Sequence, residues 1–249
     1  MSETRTEDRI GRRDERVVLI TGAGRGLGAA IARRLAVDGM RIAALDRDAA
    51  GAESIAASIG RESGQAIPVV ADITDEGAVN RSIETTMSAF GRIDVLVNNA
   101  AIDITVPIDE LAVGDWNRIL ATNLGAPFMM TRAALPELRR HAGYIVNIAS
   151  TASCRAWPNA CGYHAAKWGL LGLSRALHAE LRPQGVKVTA IIAGGMRTPF
   201  LLDRFPDLDP GLLQDPANVA ETVRFALSQP AETVIPELMV LPMRETSWP

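Results

Sequence analysis

The sequence predicts an α/β fold, one domain built on a doubly wound, mostly parallel sheet of seven strands with helices on both faces. Three observations predict it. Short apolar runs rich in Val and Ile alternate with longer amphipathic or Ala-rich runs, and that alternation requires crossover connections and a parallel sheet. A glycine-rich turn stands where the first strand should feed the first helix. No linker or internal repeat divides the chain, and its 249 residues, 47% hydrophobic and 22% charged, suit one core.

The expected strands, in order, are VVLIT (17–21), MRIAAL (40–45), AIPVVA (66–71), IDVLVN (93–98), YIVNIA (144–149), VKVTAII (186–192) and ELMVL (237–241). Each is a short β-branched or aliphatic run of the kind that a parallel sheet buries on both faces. Helices are expected between them at 27–37, 53–61, 76–90, 115–140, 162–181 and 216–227, with Asp75 and Asp115 placed as N-caps. The charged start MSETRTEDRIGRRDER (1–16) predicts a mobile tail, which leaves 17–249 as the domain. Segment 197–215 breaks the rhythm, mixing Phe200, Leu201, Leu202 and Phe205 with Pro199, Pro206, Pro210 and several aspartates. It fits a substrate lid or, equally, a surface excursion that patches the core.

A formal net charge of -3 and the lack of a compact Lys/Arg run give no electrostatic reason to expect nucleic acid. No apolar stretch approaches the roughly 20 residues of a membrane helix, and the start is charged where a signal peptide would be apolar. A cytoplasmic protein with a small-molecule partner is expected. Cys154 and Cys161 are too few for a disulfide framework and, with His164 the only nearby imidazole, do not make a zinc site. No metal is expected, and both thiols read as structural or pocket-lining.

TGAGRGLG (21–28) spaces Gly22, Gly26 and Gly28 as G-x-x-x-G-x-G, with Gly24, Arg25 and Leu27 inside the same turn. Missing Cβ atoms let a backbone turn sharply beside a pyrophosphate, and the following helix offers free N–H groups and a positive dipole end. Such a turn also serves ordinary packing, so its position matters. It opens the first βαβ unit, and Asp46 ends the next strand, near the spacing at which a Rossmann fold binds the adenosine ribose. The carboxylate can accept both ribose hydroxyls of NAD and repels the 2′-phosphate of NADP. Arg25 and Arg47 pull the other way, since either guanidinium can meet a 2′-phosphate. NAD is the expected cofactor, with NADP left open.

The run STASCRAWPNACGYHAAK (150–167) leads from the fifth strand into a helix. Tyr163 and Lys167 are four apart and share a helical face. A nearby ammonium favours the phenolate of a tyrosine, so Lys167 is expected to lower the Tyr163 pKa. Tyr163 then fits as the general acid and base of carbonyl reduction and alcohol oxidation. Ser150, at a strand end, is placed to hold the reacting oxygen. By itself a Tyr-x-x-x-Lys pair is common in amphipathic helices. Pro127 lacks the N–H that would bond the carbonyl four residues earlier, which leaves the Asn123 carbonyl free to hold a water.

Taken together, TGAGRGLG, Asp72, NNAA (98–101), Asn123, Ser150 thirteen residues before Tyr163, and Tyr163 with Lys167 resemble the short-chain dehydrogenase/reductase family over about residues 17–198. The resemblance implies an oxidoreductase that moves hydride between NAD(P) and a secondary alcohol or ketone. In it Ser150 orients the substrate oxygen, Tyr163 transfers the proton, Lys167 binds the nicotinamide ribose, and Asn123 completes a tetrad. It assigns Asp72 and Ile73 to the adenine, Asn98 and Ala100 to the riboses, and Met196 and Thr198 to the nicotinamide side. It also implies a homodimer or homotetramer.

The chain departs from that family at Ala101, often glycine, at Ala193, often proline, and in its ending ELMVLPMRETSWP. Losing the proline frees a fixed φ, so a looser or re-routed backbone is expected beside the nicotinamide. Ser150, Asp103, Arg155, Trp157 and Phe200 are expected to approach the substrate in a mixed, partly aromatic cavity. The alternative is a dinucleotide-binding sensor or scaffold without catalysis, against which the four retained tetrad residues argue. A cofactor-free lyase or dehalogenase on the same fold would have a blocked glycine turn.

Overall fold

The structure, a computed structural model, describes residues 15–244. Of the expected tail, residues 1–14 lie outside that range. Seven strands form one sheet: β1 (Val17–Thr21), β2 (Arg41–Asp46), β3 (Ala66–Val70), β4 (Val95–Asn98), β5 (Tyr144–Ser150), β6 (Lys187–Ala193) and β7 (Glu237–Val240). Their order is β3-β2-β1-β4-β5-β6-β7, and all six pairings are parallel. The chain winds outward from β1 to β3, then crosses back to lay β4 on the other side of β1. That reversal opens a crevice at the C-terminal strand ends, where an open α/β sheet binds its ligand.

The apolar runs form strands because both faces are covered, and every residue of β1 and β4 is buried. One face packs α1 (Gly26–Val37), α2 (Ala49–Arg61) and, following the short α7 (Pro199–Leu202), α8 (Pro216–Leu227); Ile31, Leu35, Ile55, Ile59, Val219 and Val223 of α1, α2 and α8 meet Val18, Ile20, Val95 and Val146. The other packs α3 (Glu76–Phe90), α5 (Ala126–Arg140) and α6 (Cys161–Leu181), through Val79, Met130, Leu138 and Leu181 against Leu19, Leu96 and Ile145. Burying each large aliphatic side chain contributes roughly 1.5–3 kcal/mol. No helix among the described residues is long and apolar enough to cross a membrane.

The span expected as one helix over 115–140 is three pieces: α4 (Val113–Leu120), a π-helical turn (Ala121–Gly125) and α5. Ala112, not Asp115, occupies the N-cap position of α4, and Asp115 instead sits in the first turn, paired with Arg118 at 3.1 Å. The π turn shifts the ladder by one residue, with the Ala126 N–H bonding the Ala121 carbonyl. It sits immediately before Pro127, which has no N–H to offer. Asp75 caps α3 as expected, accepting the Ala78 N–H at 2.6 Å.

Candidate active site

The glycine turn joins β1 to α1 at the crevice. Gly22 has φ +65°, and a Cβ there would stand 2.9 Å from the Ala100 Cα. A Cβ on Gly28 would stand 2.0 Å from the Gly22 carbonyl oxygen, so only glycine lets α1 start this close to the turn. The N-terminus of α1 carries no side-chain cap and no acidic residue in its first turn. Its free N–H groups and dipole therefore face the cleft uncompensated, which is the condition for binding an anion. Thr21 and Asn99 tie the turn to the end of β4. The Thr21 hydroxyl accepts the Asn99 and Ala100 N–H groups at 3.0 and 3.1 Å, and Asn99 Nδ2 donates to the Thr21 and Gly22 carbonyls at 2.9 and 3.1 Å.

Asp46 ends β2 beside this turn. Its Oδ2 accepts the Gly24 N–H at 2.9 Å and its Oδ1 the Asp48 N–H at 3.0 Å. Each oxygen keeps a lone pair for a further donor. Gly22, Arg25, Gly26, Leu27, Asp46, Arg47, Asp72, Ile73, Ala100, Met196 and Thr198 all line one cleft of about 430 Å³. Gly24 and Gly28 stand behind that wall and shape it. Asp72 is held below the usual carboxylate range by the Thr74 backbone N–H, then by the Thr74 hydroxyl.

Asn98 corrects the expectation drawn for it. Its side chain turns to the opposite face, where Nδ2 donates to Asn147 Oδ1 at 2.8 Å, and Asn147 Nδ2 donates to the Ser174 hydroxyl at 2.9 Å. Neighbouring residues on a strand point to opposite faces, and it is Asn99 that lines the cleft. The backbone beyond β6 is not loose despite Ala193: the Arg197 and Gln214 N–H groups bond the Gln214 and Gly195 carbonyls at 2.9 and 3.1 Å, which fixes Met196 and Thr198.

Ser150, Tyr163 and Lys167 converge on the same cleft. Ser150 caps a 3₁₀ turn (Thr151–Ser153), its Oγ accepting the Ala152 N–H at 3.2 Å. Tyr163, in the first turn of α6, is 8% exposed, and Lys167, one turn on, is 3% exposed. Burial pushes the Tyr163 phenol up to about 12, against the smaller downward pull of its hydrogen bond with Ser150. Burial pushes Lys167 down to about 8, opposed by the charge of Asp103. The Lys167 ammonium donates to the Ile148 carbonyl at 2.8 Å and stands 5.7 Å from the Tyr163 ring centre. The expected lowering of Tyr163 by Lys167 does not appear in the protein alone: desolvation of the phenolate dominates, and the charge of Asp103 adds to it.

Asn123 sits in the π turn, 1% exposed, behind the cleft wall. Its Oδ1 accepts the Ile102 N–H at 2.8 Å and its Nδ2 donates to the Ile102 carbonyl at 2.7 Å.

The outer cleft is aromatic and charged. Phe200 lies 5.9 Å from Tyr163 between ring centres, and Trp157 forms another part of the wall. Arg155, expected beside them, is not among the residues lining the cleft. His164 positions Trp157: Nδ1 bonds the Ala152 carbonyl at 3.0 Å, Nε2 accepts the Trp157 N–H at 3.2 Å, and the rings meet edge to face at 4.4 Å. Asp103 forms an ion pair with Arg204, which also donates to the Phe200 carbonyl at 2.8 Å. Arg204 carries no signal in the sequence, and neither the Trp157-positioning role of His164 nor the turn-tying role of Asn99 is visible there.

The residues present fit a nicotinamide dinucleotide. The uncapped helix end suits a pyrophosphate, Asp46 suits ribose hydroxyls, and Lys167 uses one N–H on Ile148 and keeps others for a second ribose.

The family model for short chain dehydrogenases matches residues 16–209. D-threitol dehydrogenase of Mycolicibacterium smegmatis is 41% identical over 181 residues, 72% of this chain and 70% of that one. An alcohol dehydrogenase from the archaeon Thermococcus sibiricus, solved with 5-hydroxy-NADP, superposes with a TM-score of 0.87 at 29% identity, covering 93% of this chain and 98% of the other. The 3-ketoacyl-(acyl-carrier-protein) reductase of Brucella melitensis, solved with NADH, gives 0.84 at 32% identity, covering 94% and 99%. With the family model spanning most of the chain and solved relatives superposing over more than nine-tenths of it, this chain belongs to the short-chain dehydrogenase/reductase family and is an oxidoreductase that moves hydride between a nicotinamide dinucleotide and a small alcohol or carbonyl compound.

Proposed function

We propose that the chain is an NAD(H)-preferring dehydrogenase/reductase of secondary alcohols and ketones, with Tyr163 as general acid and base. The observation that carries this reading is the hydrogen-bonded pair Ser150–Tyr163 with Lys167 beside it, in the same cleft as the uncapped glycine turn and Asp46. When bound, the nicotinamide supplies or accepts the hydride. Ser150 and Tyr163 hold the reacting oxygen between two hydroxyls. Burial keeps Tyr163 protonated across the neutral range, the form that delivers a proton to a nascent alkoxide. In the oxidative direction the phenol first gives up its own proton toward Lys167 and solvent, and the phenolate oxygen then takes the proton from the alcohol.

Lys167 binds the nicotinamide ribose and passes protons toward solvent. Asn123 fixes the geometry of that path from the π turn, where its carbonyl lacks the usual partner because residue 127 is proline. Asp46 sets the preference for NAD, since a 2′-phosphate there would meet its carboxylate. Arg25 and Arg47 temper that preference without reversing it. Asp103, Trp157 and Phe200 form the substrate wall, with segment 197–215 as a lid latched by the Arg25–Asp203 pair at 3.6 Å and by Arg204–Asp103. The protein acts in the cytoplasm as a homodimer or homotetramer.

The test is a panel of secondary alcohols and ketones assayed by nicotinamide absorbance with NAD(H) and with NADP(H). Turnover favouring NAD(H) supports the reading. Binding of cofactor with no turnover on a broad panel replaces it with a sensor.

A further inference from the structure

We propose that Asp103 is the acceptor for a second hydroxyl of the substrate, so that the enzyme works on vicinal diols and small polyols, or their hydroxyketones, in preference to simple secondary alcohols. The inference rests on the assignment of Ser150 and Tyr163 as the reacting site.

Its starting point is an unsatisfied atom. The Asp103 side chain is only 7% exposed. Its Oδ2 is fully engaged, taking the Arg204 guanidinium and the Thr105 hydroxyl, the latter at 3.2 Å. Its Oδ1 is buried and has no hydrogen-bond partner. A buried carboxylate oxygen left without a donor costs free energy that folded proteins ordinarily avoid. Ligand sites are the common exception, because the donor arrives with the ligand.

The residue stands in the right place. Asp103 lines the same cleft as Ser150 and Tyr163, and its charge acts on both the Tyr163 phenol and the Lys167 ammonium. It is also rigid. Arg204 is stacked on the Phe200 ring at 4.3 Å and bonded to the Phe200 carbonyl, so the carboxylate is pinned before any ligand enters.

The chemistry of the partner follows. An ionised carboxylate only accepts, so the ligand must offer a donor, which excludes a bare ketone, an ether or an ester at this point. A carboxylate or phosphate would meet a like charge. An ammonium would meet the positive charges of Arg204, already paired with Asp103, and of Lys167. A neutral hydroxyl on a carbon near the reacting one satisfies each constraint, and the faces of Trp157 and Phe200 suit the C–H edges of a short carbon skeleton. A site built to bond a hydroxyl also discriminates strongly against the analogue that lacks it, since the acceptor is then left unpaired.

The experiment compares kcat/KM for two matched pairs, butane-2,3-diol with butan-2-ol and cyclohexane-1,2-diol with cyclohexanol, in the wild type and in Asp103→Asn. The expected wild-type preference for each diol is on the order of a hundredfold or more, carried mainly by KM. In Asp103→Asn the ratio of diol to mono-ol should fall at least tenfold, whatever happens to the absolute rates. A merely structural Asp103 would slow both members of a pair together and leave the ratio intact, which would overturn the inference. So would a wild type that uses the mono-ols as well as the diols, a result that needs no variant to fold. Turnover of mono-ols without preference leaves the proposed function standing, whereas no turnover of any of the four removes the diol assignment and leaves the proposed function to the broader panel of alcohols and ketones.

Discussion

The side chain of Asn123 holds Ile102 by both of its backbone groups, accepting its N–H at 2.8 Å and donating to its carbonyl at 2.7 Å. One amide thus joins the π turn after α4 to the strand-end segment that carries Ala100 and Asp103 into the cleft. Asn123→Asp keeps the acceptor but sets a carboxylate against the Ile102 carbonyl. That substitution should cost about 2–4 kcal/mol, by loss of a buried bond and burial of an uncompensated charge. Asn123→Ala should cost about 1–3 kcal/mol for the two stranded backbone groups. Urea titrations of both variants would check the order.

Lys167 predicts a pH dependence of stability. Burial lowers it from 10.5 to about 8. Above the unfolded value both states are neutral and nothing is lost. As pH falls from there toward 8, the unfolded chain takes up the proton and the folded chain does not, so stability falls, and below 8 the loss is complete. Lys167→Met removes this dependence, so at pH 7 the variant should be more stable than wild type by about 1–3 kcal/mol, allowing for the Ile148 carbonyl left without its donor. The difference should shrink toward pH 10. Denaturation at pH 7, 8.5 and 10 measures it, and a variant less stable at pH 7 would contradict it.

Two glycines separate constraint from tolerance. Gly28→Ala places a Cβ 2.0 Å from the Gly22 carbonyl oxygen and should dislodge the start of α1, abolishing dinucleotide binding. Gly60→Ala, in α2, meets nothing within 4 Å. It should raise stability by about 0.5–1 kcal/mol through helix propensity and leave binding unchanged. Fluorescence titration with NADH and a thermal melt suffice for both.

Asp46→Asn retains an acceptor for the glycine turn and removes the charge that repels a 2′-phosphate. The ratio of NADPH to NADH affinity should rise about tenfold or more, equivalent to about 1.4 kcal/mol. An unchanged ratio would assign cofactor choice to Arg25 and Arg47 instead.

The legible parts of this molecule were those set by local chemistry. β1, α3 and α8 have the boundaries that their apolar runs and caps dictate, and Pro127 pointed to the disturbance that the structure resolves into a π turn. Asp115 misled because an acidic residue suits the first helical turn as well as the cap. What was not legible depends on long-range pairing. Arg204 meets a partner 101 residues away, and nothing in its own neighbourhood marks it. Asn98 and Asn99 look alike in sequence and are told apart by distant partners: the Asn98 amide meets Asn147, 49 residues away, and the Asn99 amide meets Thr21, 78 residues away. The rise of Tyr163 to about 12 is likewise a property of burial, invisible in the spacing that identified it.

The central claim is that Tyr163 transfers the proton. Tyr163→Phe removes only the hydroxyl, which leaves the cofactor cleft and the Lys167–Ile148 bond in place. On any alcohol that the wild type oxidises, kcat should fall by about 10²–10⁴, while the NADH dissociation constant measured by fluorescence stays within about threefold, a difference of under 1 kcal/mol. A variant that binds NADH normally and still turns over at near-wild-type rate would contradict the account.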